Sequence, residues 1–251
     1  MLPLSVTIIT KNEAPRIAEC LASVASLADE IVVLDSGSTD GTPQICAAHG
    51  ARVIDAEWLG FGPQKDLAVR SARNDWVLCL DADERVSAEL ASAIRQALSD
   101  SPPPAHAAYR CARSNRFLGR YLRHGEGYPD WSLRLFDRRA AHWSADAVHE
   151  KVICDAPVGT LAGDLLHDSA ETLESYLAKQ NRYTSLQAAA YAGQPVGAAR
   201  LLISPLIRFV KFYGVRGGFR DGLPGLVHIA IGCFNSFMKY AKIRERQGLR
   251  Q

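Results

Sequence analysis

The order of apolar runs in the first 83 residues most constrains what this chain can fold into. Residues 4–10, 31–34, 51–54 and 76–80 are short apolar or β-branched runs of strand length. Between them lie three stretches with helical signals. In 16–27 the residues Ile17, Leu21, Val24 and Leu27 recur at helical spacing; 43–50 opens with Pro43 and 63–72 with Pro63. This β-α-β-α-β-α-β alternation predicts an α/β chain with a parallel sheet and right-handed crossovers, a nucleotide-binding type of architecture. Open sheets of this kind bind ligands at the carboxyl ends of their strands. Three polar segments fall at that edge: Thr10 to Glu13, Asp35 to Asp40, and Asp81 to Asp83.

The fourth strand, Trp76-Val77-Leu78-Cys79-Leu80, runs straight into Asp81-Ala82-Asp83-Glu84. Two carboxylates this close repel unless a cation sits between them, and hard oxygen ligands suit Mg2+ or Mn2+, which bridge to phosphate oxygens. The same acids would also suit the start of the helix that Ser87 opens. Asp35 ends the second strand and is placed either to accept from a base or ribose or to cap the next helix; Asp40, with Pro43 following, reads as a cap. No GxGxxG follows the first strand and no GxxxxGK[ST] occurs, so neither a dinucleotide nor a P-loop site is indicated.

With 251 residues, the chain is long enough for one sizeable core and a smaller appendage. A net charge of +2 gives no case for nucleic acid as a partner. The six cysteines are scattered without a CxxC pair, as expected of reduced thiols in the cytosol. A strand-like run so near the start predicts no signal peptide, and no apolar run of about 18 residues predicts a transmembrane helix. Beyond residue 83, a helix is expected over 87–98 and strands over 107–113 and 131–136, forming a less regular half with mixed or antiparallel strands. A long helix over 171–191 places Leu173, Tyr176, Leu177, Tyr183 and Leu186 on its apolar side. A domain over 1–195 is therefore expected to be followed by a basic, amphipathic helical extension over 196–251. That extension suits an anionic membrane surface, the core of the same chain, or a second subunit in an oligomer.

Taken together, Ser5-Val6-Thr7-Ile8-Ile9-Thr10-Lys11-Asn12-Glu13, Ile31-Val32-Val33-Leu34-Asp35-Ser36-Gly37-Ser38-Thr39-Asp40-Gly41-Thr42, Gly62-Pro63-Gln64-Lys65-Asp66 and Asp81-Ala82-Asp83-Glu84 resemble the family 2 glycosyltransferases of GT-A fold. That resemblance covers about residues 4–100. A narrower resemblance, to the bacterial lipopolysaccharide core glucosyltransferases of that family, rests on four further segments. These are Trp58-Leu59-Gly60-Phe61-Gly62, Asp130-Trp131-Ser132-Leu133-Arg134-Leu135-Phe136, Val148-His149-Glu150 and Gly217-Gly218-Phe219-Arg220-Asp221-Gly222.

The resemblance implies transfer of a hexose, glucose foremost, from a UDP-sugar to an inner-core sugar of lipopolysaccharide, with inversion, at the cytosolic face of the bacterial inner membrane. It places Thr10, Glu13 and Asp35 on the uridine part and Asp81 near the ribose or the metal. Asp83 becomes the direct ligand of Mg2+ or Mn2+, joined by His167. Lys65 lies near the diphosphate or is a solvated helix-face lysine. Glu150 is the candidate base, with Asp130 in reserve; a surface pair of Glu150 with Lys151 or Arg134 is the alternative. Arg134, Arg138 and Arg139 would meet acceptor phosphates or form the exposed face of an edge strand. Alternative acceptors on the same fold are a polyprenyl phosphate, a capsule sugar or a protein, and a non-catalytic sugar-nucleotide binder is the reading from another class.

Overall fold

In a computed structural model of the protein, residues 1–146, 150–169, 172–191 and 196–248 are described. The expected domain boundary at 195 falls outside them. By contact the chain groups into two units, residues 1–113 with 130–167, and residues 114–129 with 168–251.

Unit 1 opens with the expected alternation: β1 (Leu4–Thr10), α1 (Ile17–Val24), β2 (Glu30–Asp35), α2 (Thr42–Ala48), β3 (Arg52–Asp55), α3 (Phe61–Arg70) and β4 (Trp76–Asp81). It continues through β5 (Glu84–Val86), α4 (Ala88–Ala97), β6 (Ala108–Phe117), whose last residues enter unit 2, and, in unit 2, β7 (Arg120–Tyr121). After β7 the chain returns to unit 1 for β8 (Asp130–Asp137), β9 (Ala141–Trp143), β10 (Val152–Cys154) and β11 (Val158–His167). The sheet order is β3-β2-β1-β4-β8-β6-β11-β5, while β9 and β10 pair separately. Strands β3, β2, β1 and β4 are mutually parallel, and β8 joins β4 antiparallel through Leu78↔Leu135. This is the α/β arrangement with a parallel half that the strand order predicts, with the antiparallel strands supplied by the less regular half.

The parallel half forms because β1 and β4 are buried almost end to end, with the polar Ser5 and Thr7 of β1 donating to Glu30 Oε2 (2.7 Å) and Cys79 Sγ (3.2 Å). Ile17, Leu21, Val24 and Leu27 of the first crossover are all buried beneath the sheet strands' Leu4, Val6 and Ile8 in one core cluster. Register then positions the site. Thr10 pairs with Asp35 and Ile9 with Asp81, so three chemistry-bearing strand ends lie side by side at one edge. On the other side of the sheet path, β11 runs antiparallel to β5 and sets His167 opposite Glu84.

Unit 2 contains β7, paired with the end of β6, and then α5 (Leu173–Ala190), α6 (Ala199–Phe209), a π-helical stretch Val210–Val215, a 3-10 turn Gly218–Asp221 and α7 (Gly222–Gly248). One expectation fails here. Leu173, Leu177, Tyr183 and Leu186 of α5 are exposed, and the buried residues are Thr184 and Ala188. Of the expected stripe Tyr176 packs, against the Phe117 and His228 rings (centres 5.3 and 5.9 Å), while Lys242 of α7 donates to Thr184 Oγ1 (2.8 Å) and Ser185 Oγ (2.8 Å), so polar contacts share the packed face and the leucines stay exposed. All six cysteines are free thiols, and no helix among the described residues is long and apolar enough to cross a membrane.

Helix α3 is held against the β9 end by the absence of a side chain at Gly62. A Cβ there would lie 2.1 Å from the Ser144 carbonyl oxygen. Because that neighbour is backbone, Gly62→Ala is expected to cost about 1–3 kcal/mol, read as a lowered urea midpoint with an unchanged slope.

Candidate active site

The charged residues at the sheet edge form one chain of alternating sign. Arg134 is buried, and its Nη2 donates to Asp81 Oδ2 at 2.8 Å and to Glu84 Oε1 at 2.6 Å. The Lys65 ammonium, also buried, lies 3.0 Å from Asp81 Oδ1 and 2.9 Å from Glu150 Oε1. At the other end Arg113 reaches Glu84 at 3.5 Å and Asp130 at 2.7 Å. The order is therefore Asp130, Arg113, Glu84, Arg134, Asp81, Lys65, Glu150. Trp143 floors it: its ring centre is 4.8 Å from the Lys65 nitrogen and 5.8 Å from the Arg134 guanidinium. The Trp143 Nε1–H donates to Cys79 Sγ at 3.4 Å, which fixes the ring under the strand end.

Burial alone would push Asp81 up, but the adjacent Arg134 and Lys65 hold its carboxyl well below the usual carboxylate range. Burial likewise opposes the charge on Arg134, and Glu84 and Asp81 outweigh it, so its guanidinium titrates even higher than usual. Glu13 is pushed up by burial, which the Arg16 ion pair at 2.6 Å only partly offsets. The buried thiols are pushed up as well, Cys111 to about 12 and Cys46 to about 11, so neither is a thiolate nucleophile.

Several expectations are revised by this geometry. Lys65 is not a solvated helix-face residue, and the partner of Glu150 is Lys65 rather than Lys151 or Arg134. Val148 and His149 of the same motif lie outside the described residues. Arg134 is neither an exposed edge residue nor free for acceptor phosphate. Arg138 is occupied by the Ala72 and Arg73 carbonyls, and Arg139 by Asp137 (2.6 Å) and Asp75 (3.0 Å). Asp35 accepts from the Ser38 N–H (2.8 Å) and hydroxyl (2.5 Å), so it shapes its own loop as well as facing the edge. Asp40 accepts from the Thr42 N–H (3.1 Å) and hydroxyl (2.5 Å), the local capping role expected of it. Glu84, Trp143 and the structural task of Arg134 went unassigned in the sequence. The available signal was an arginine inside the apolar run Leu133-Arg134-Leu135-Phe136, which a buried strand tolerates only when paired.

Two features suit a nucleotide sugar and a divalent cation. Thr10 Oγ1 is buried without a hydrogen-bond partner among the described residues, at the edge where Asp35 and Asp81 converge. With both oxygens of Asp81 engaged by cations, Asp83 is the aspartate left for a metal, and its Oδ2 lies 3.2 Å from His167 Nε2. A carboxylate and an imidazole are a donor set that Mn2+ accepts. Among the described residues no cluster of three such side chains occurs.

Removing Arg134 leaves Asp81 and Glu84 facing each other with only the flanking Lys65 and Arg113. Arg134→Met is expected to cost about 3–5 kcal/mol, measured by chemical denaturation. Because the folded pKa of Asp81 is lowered from 3.8, the stability from its ion pairs is fully present above that value and is lost as pH falls through the folded pKa. In Arg134→Met the folded pKa of Asp81 should lie nearer 3.8, so this acid-side loss should be smaller and should finish at a higher pH than in the parent protein.

Residues 5–155 match the family described as Glycosyl transferase family 2. Over 256 residues the chain is 32% identical to the uncharacterized glycosyltransferase RT0209 of Rickettsia typhi, covering 98% of this chain and 88% of that one. It is 30% identical over 258 residues to the lipopolysaccharide core biosynthesis glycosyltransferase LpsC of Rhizobium meliloti, covering 99% and 94%. Its fold is similar to that of the mannosyltransferase PcManGT from Pyrobaculum calidifontis, solved with GDP-Man and Mn2+, at a TM-score of 0.52 and 19% identity over 100% of this chain and 89% of that one. A match across more than half the chain, full-length relatives and a shared architecture together make the chain a member of glycosyl transferase family 2, a glycosyltransferase built on the GT-A fold.

Proposed function

We propose that this glycosyltransferase moves a hexose, glucose foremost, from UDP to an inner-core sugar of lipopolysaccharide at the cytosolic face of the bacterial inner membrane. The observation that carries the reading is the Lys65 bridge, because it joins a carboxylate of the Asp81-Ala82-Asp83 motif to Glu150 through one ammonium. Leaving-group and base functions thereby meet at one strand end. The lipopolysaccharide acceptor is supported by the near full-length similarity to LpsC, and the membrane location by the basic helices of the C-terminal segment.

Thr10, with its unsatisfied hydroxyl, and Glu13 and Asp35 at the same edge hold the uridine part. Asp83 and His167 hold Mg2+ or Mn2+, which supplies Lewis-acid stabilisation of the charge that builds on the departing diphosphate. Lys65 and Asp81 lie between that group and the base. Glu150 takes the proton from the acceptor hydroxyl as its oxygen forms the new bond to the anomeric carbon. The bond from that carbon to the diphosphate oxygen breaks on the opposite side, so the configuration inverts. Asp130, at the far end of the same ionic chain, is held by Arg113 and is the second candidate for the base.

A donor screen with UDP-glucose, UDP-galactose and GDP-mannose, with Mg2+ or Mn2+ present, tests the reading through nucleoside diphosphate release. UDP-hexose turnover is expected. Turnover with GDP-mannose alone would overturn the donor assignment. Glu150→Gln should lower transfer by about 10²–10⁴-fold while sparing donor binding measured by calorimetry. Asp83→Asn should abolish the metal dependence. If Glu150→Gln keeps its rate and Asp130→Asn loses it, the base is Asp130.

A further inference from the structure

The largest departure from an ordinary protein surface lies in unit 2. Helices α6 and α7 form an antiparallel pair, shown by Ser204 against Ser236 (Oγ to Oγ 2.7 Å) and Arg200 over the Tyr240 ring (6.0 Å). Leu202 and Leu206 of α6 and Val210, which opens the π-helical stretch, recur every fourth position, about half a turn round from Ser204. They point away from α7 and are 74%, 64% and 55% exposed. In the connection between the helices, Val215, Phe219 and Leu223 are 82%, 53% and 69% exposed, and the first two are each followed directly by an exposed arginine, Arg216 and Arg220.

This connection is braced rather than loose. Asp221 is buried, and its carboxylate accepts from the Arg123 and His124 backbone N–H groups (3.0 and 2.8 Å) and lies 3.0 Å from His124 Nδ1. The Arg216 guanidinium donates to the Tyr128 carbonyl (2.9 Å), and that of Arg120 donates to the Arg220 carbonyl (3.1 Å). A Cβ on Gly218 would lie 2.3 Å from Ile229 Cδ1, so the turn is packed tightly against α7. The braced turn thus presents several exposed apolar side chains to the outside.

Charge identifies what covers it. Residues 196–248 hold nine Lys or Arg and two Asp or Glu, one of them the buried Asp221, within a chain whose whole net charge is +2. Two copies meeting face to face through this surface would set arginine against arginine. An anionic phospholipid surface complements both the charge and the apolar stripe. No helix among the described residues is long and apolar enough to cross a bilayer, so the arrangement suits lying in the interface rather than spanning it.

We propose that α6 and the 215–223 turn seat in the headgroup region of an anionic phospholipid bilayer. Leu202, Leu206, Val210, Val215, Phe219 and Leu223 reach the acyl boundary, while Arg216 and Arg220 meet lipid phosphates. The inference rests on the membrane-anchored acceptor of the proposed function for its purpose, and on unit 2 alone for its geometry.

The test is vesicle co-sedimentation of the full chain, with phosphatidylcholine alone or mixed with phosphatidylglycerol. The parent protein should bind the mixed vesicles more tightly, and added salt should weaken that binding. Arg216→Gln with Arg220→Gln should lose about fivefold in affinity per arginine on mixed vesicles. Leu206→Ser with Val215→Ser and Phe219→Ser should lose binding to both kinds. Donor hydrolysis without vesicles should be unchanged in every variant, so a failed donor screen and a failed vesicle assay sink different claims. Phe219→Trp keeps the test open if the triple variant misfolds: its emission should shift blue on mixed vesicles. A parent protein that stays in the supernatant, or a Phe219→Trp variant whose emission does not respond, would overturn the proposal. So would a serine variant that still sediments with vesicles but falls from dimer to monomer in light scattering, because a second copy would then be the cover.

Discussion

One buried guanidinium sets the terms for the catalytic edge. Arg134 comes from β8, which crosses antiparallel beside β4, and it meets the carboxylates of Asp81 and Glu84 at either side of the tight β4–β5 connection. Desolvating an ion costs several kcal/mol, and the cost is offset only when each charge is paired and its hydrogen bonds are made. The β4–β5 connection contributes locally, because Glu84 also accepts from the Asp81 N–H at 3.0 Å, although the Arg134 Nε–H is buried without a partner among the described residues. A carboxylate at position 84 therefore fixes the backbone of the motif from within, while Arg134 fixes its side chain from across the sheet.

Two aspartates separated by one residue consequently take different tasks. Asp81 has both oxygens engaged, whereas Asp83 faces His167 and stays partly exposed. The sequence pattern alone treats them as equivalent acids. What separates them is strand geometry: Asp81 is the last residue of β4 and points among the cations of neighbouring elements, and Asp83 lies past the strand end. The two candidate bases are likewise separated by context. Glu150 ends the ionic chain at Lys65 and Asp130 ends it at Arg113, so removing a central member such as Arg134 perturbs both together.

How far the chain was readable before its structure follows from which interactions are local. The parallel half and its edge were legible because runs such as Leu4 to Thr10 are continuous and their crossovers carry clear periodicity; register then carried Thr10, Asp35 and Asp81 to one place without further information. The partners of Lys65 were not legible. Glu150 is 85 residues away, and only the folded chain brings it within hydrogen-bonding distance. Arg134 was readable as an anomaly, a charge inside an apolar run, but its ion pairs depend on the antiparallel pairing of β8 with β4. The α5 stripe misled for a related reason. Periodicity finds leucines at helical spacing, but it does not say that Lys242 will dock on Thr184 and Ser185 and leave those leucines exposed.

The sheet edge of unit 1 and the Arg216 turn of unit 2 handle charge differently, although unit 2 also holds ion pairs such as Arg208–Glu126 and Arg116–Asp168. In unit 1 the cations Lys65, Arg113 and Arg134 each lie between two of four carboxylates, so the chain of charges carries one net negative charge and most of its charge is compensated internally. A diphosphate with its cation can then bind without forcing a large change in the net charge of the pocket. In unit 2 the Arg216 guanidinium is braced by the Tyr128 carbonyl oxygen, which orients it but does not neutralise it. Among the described residues no carboxylate pairs with Arg216, so its charge is held uncompensated next to the exposed Val215 and Phe219. Compensation within favours a site that must admit and release a charged substrate, and compensation from without favours a surface that must stay attached.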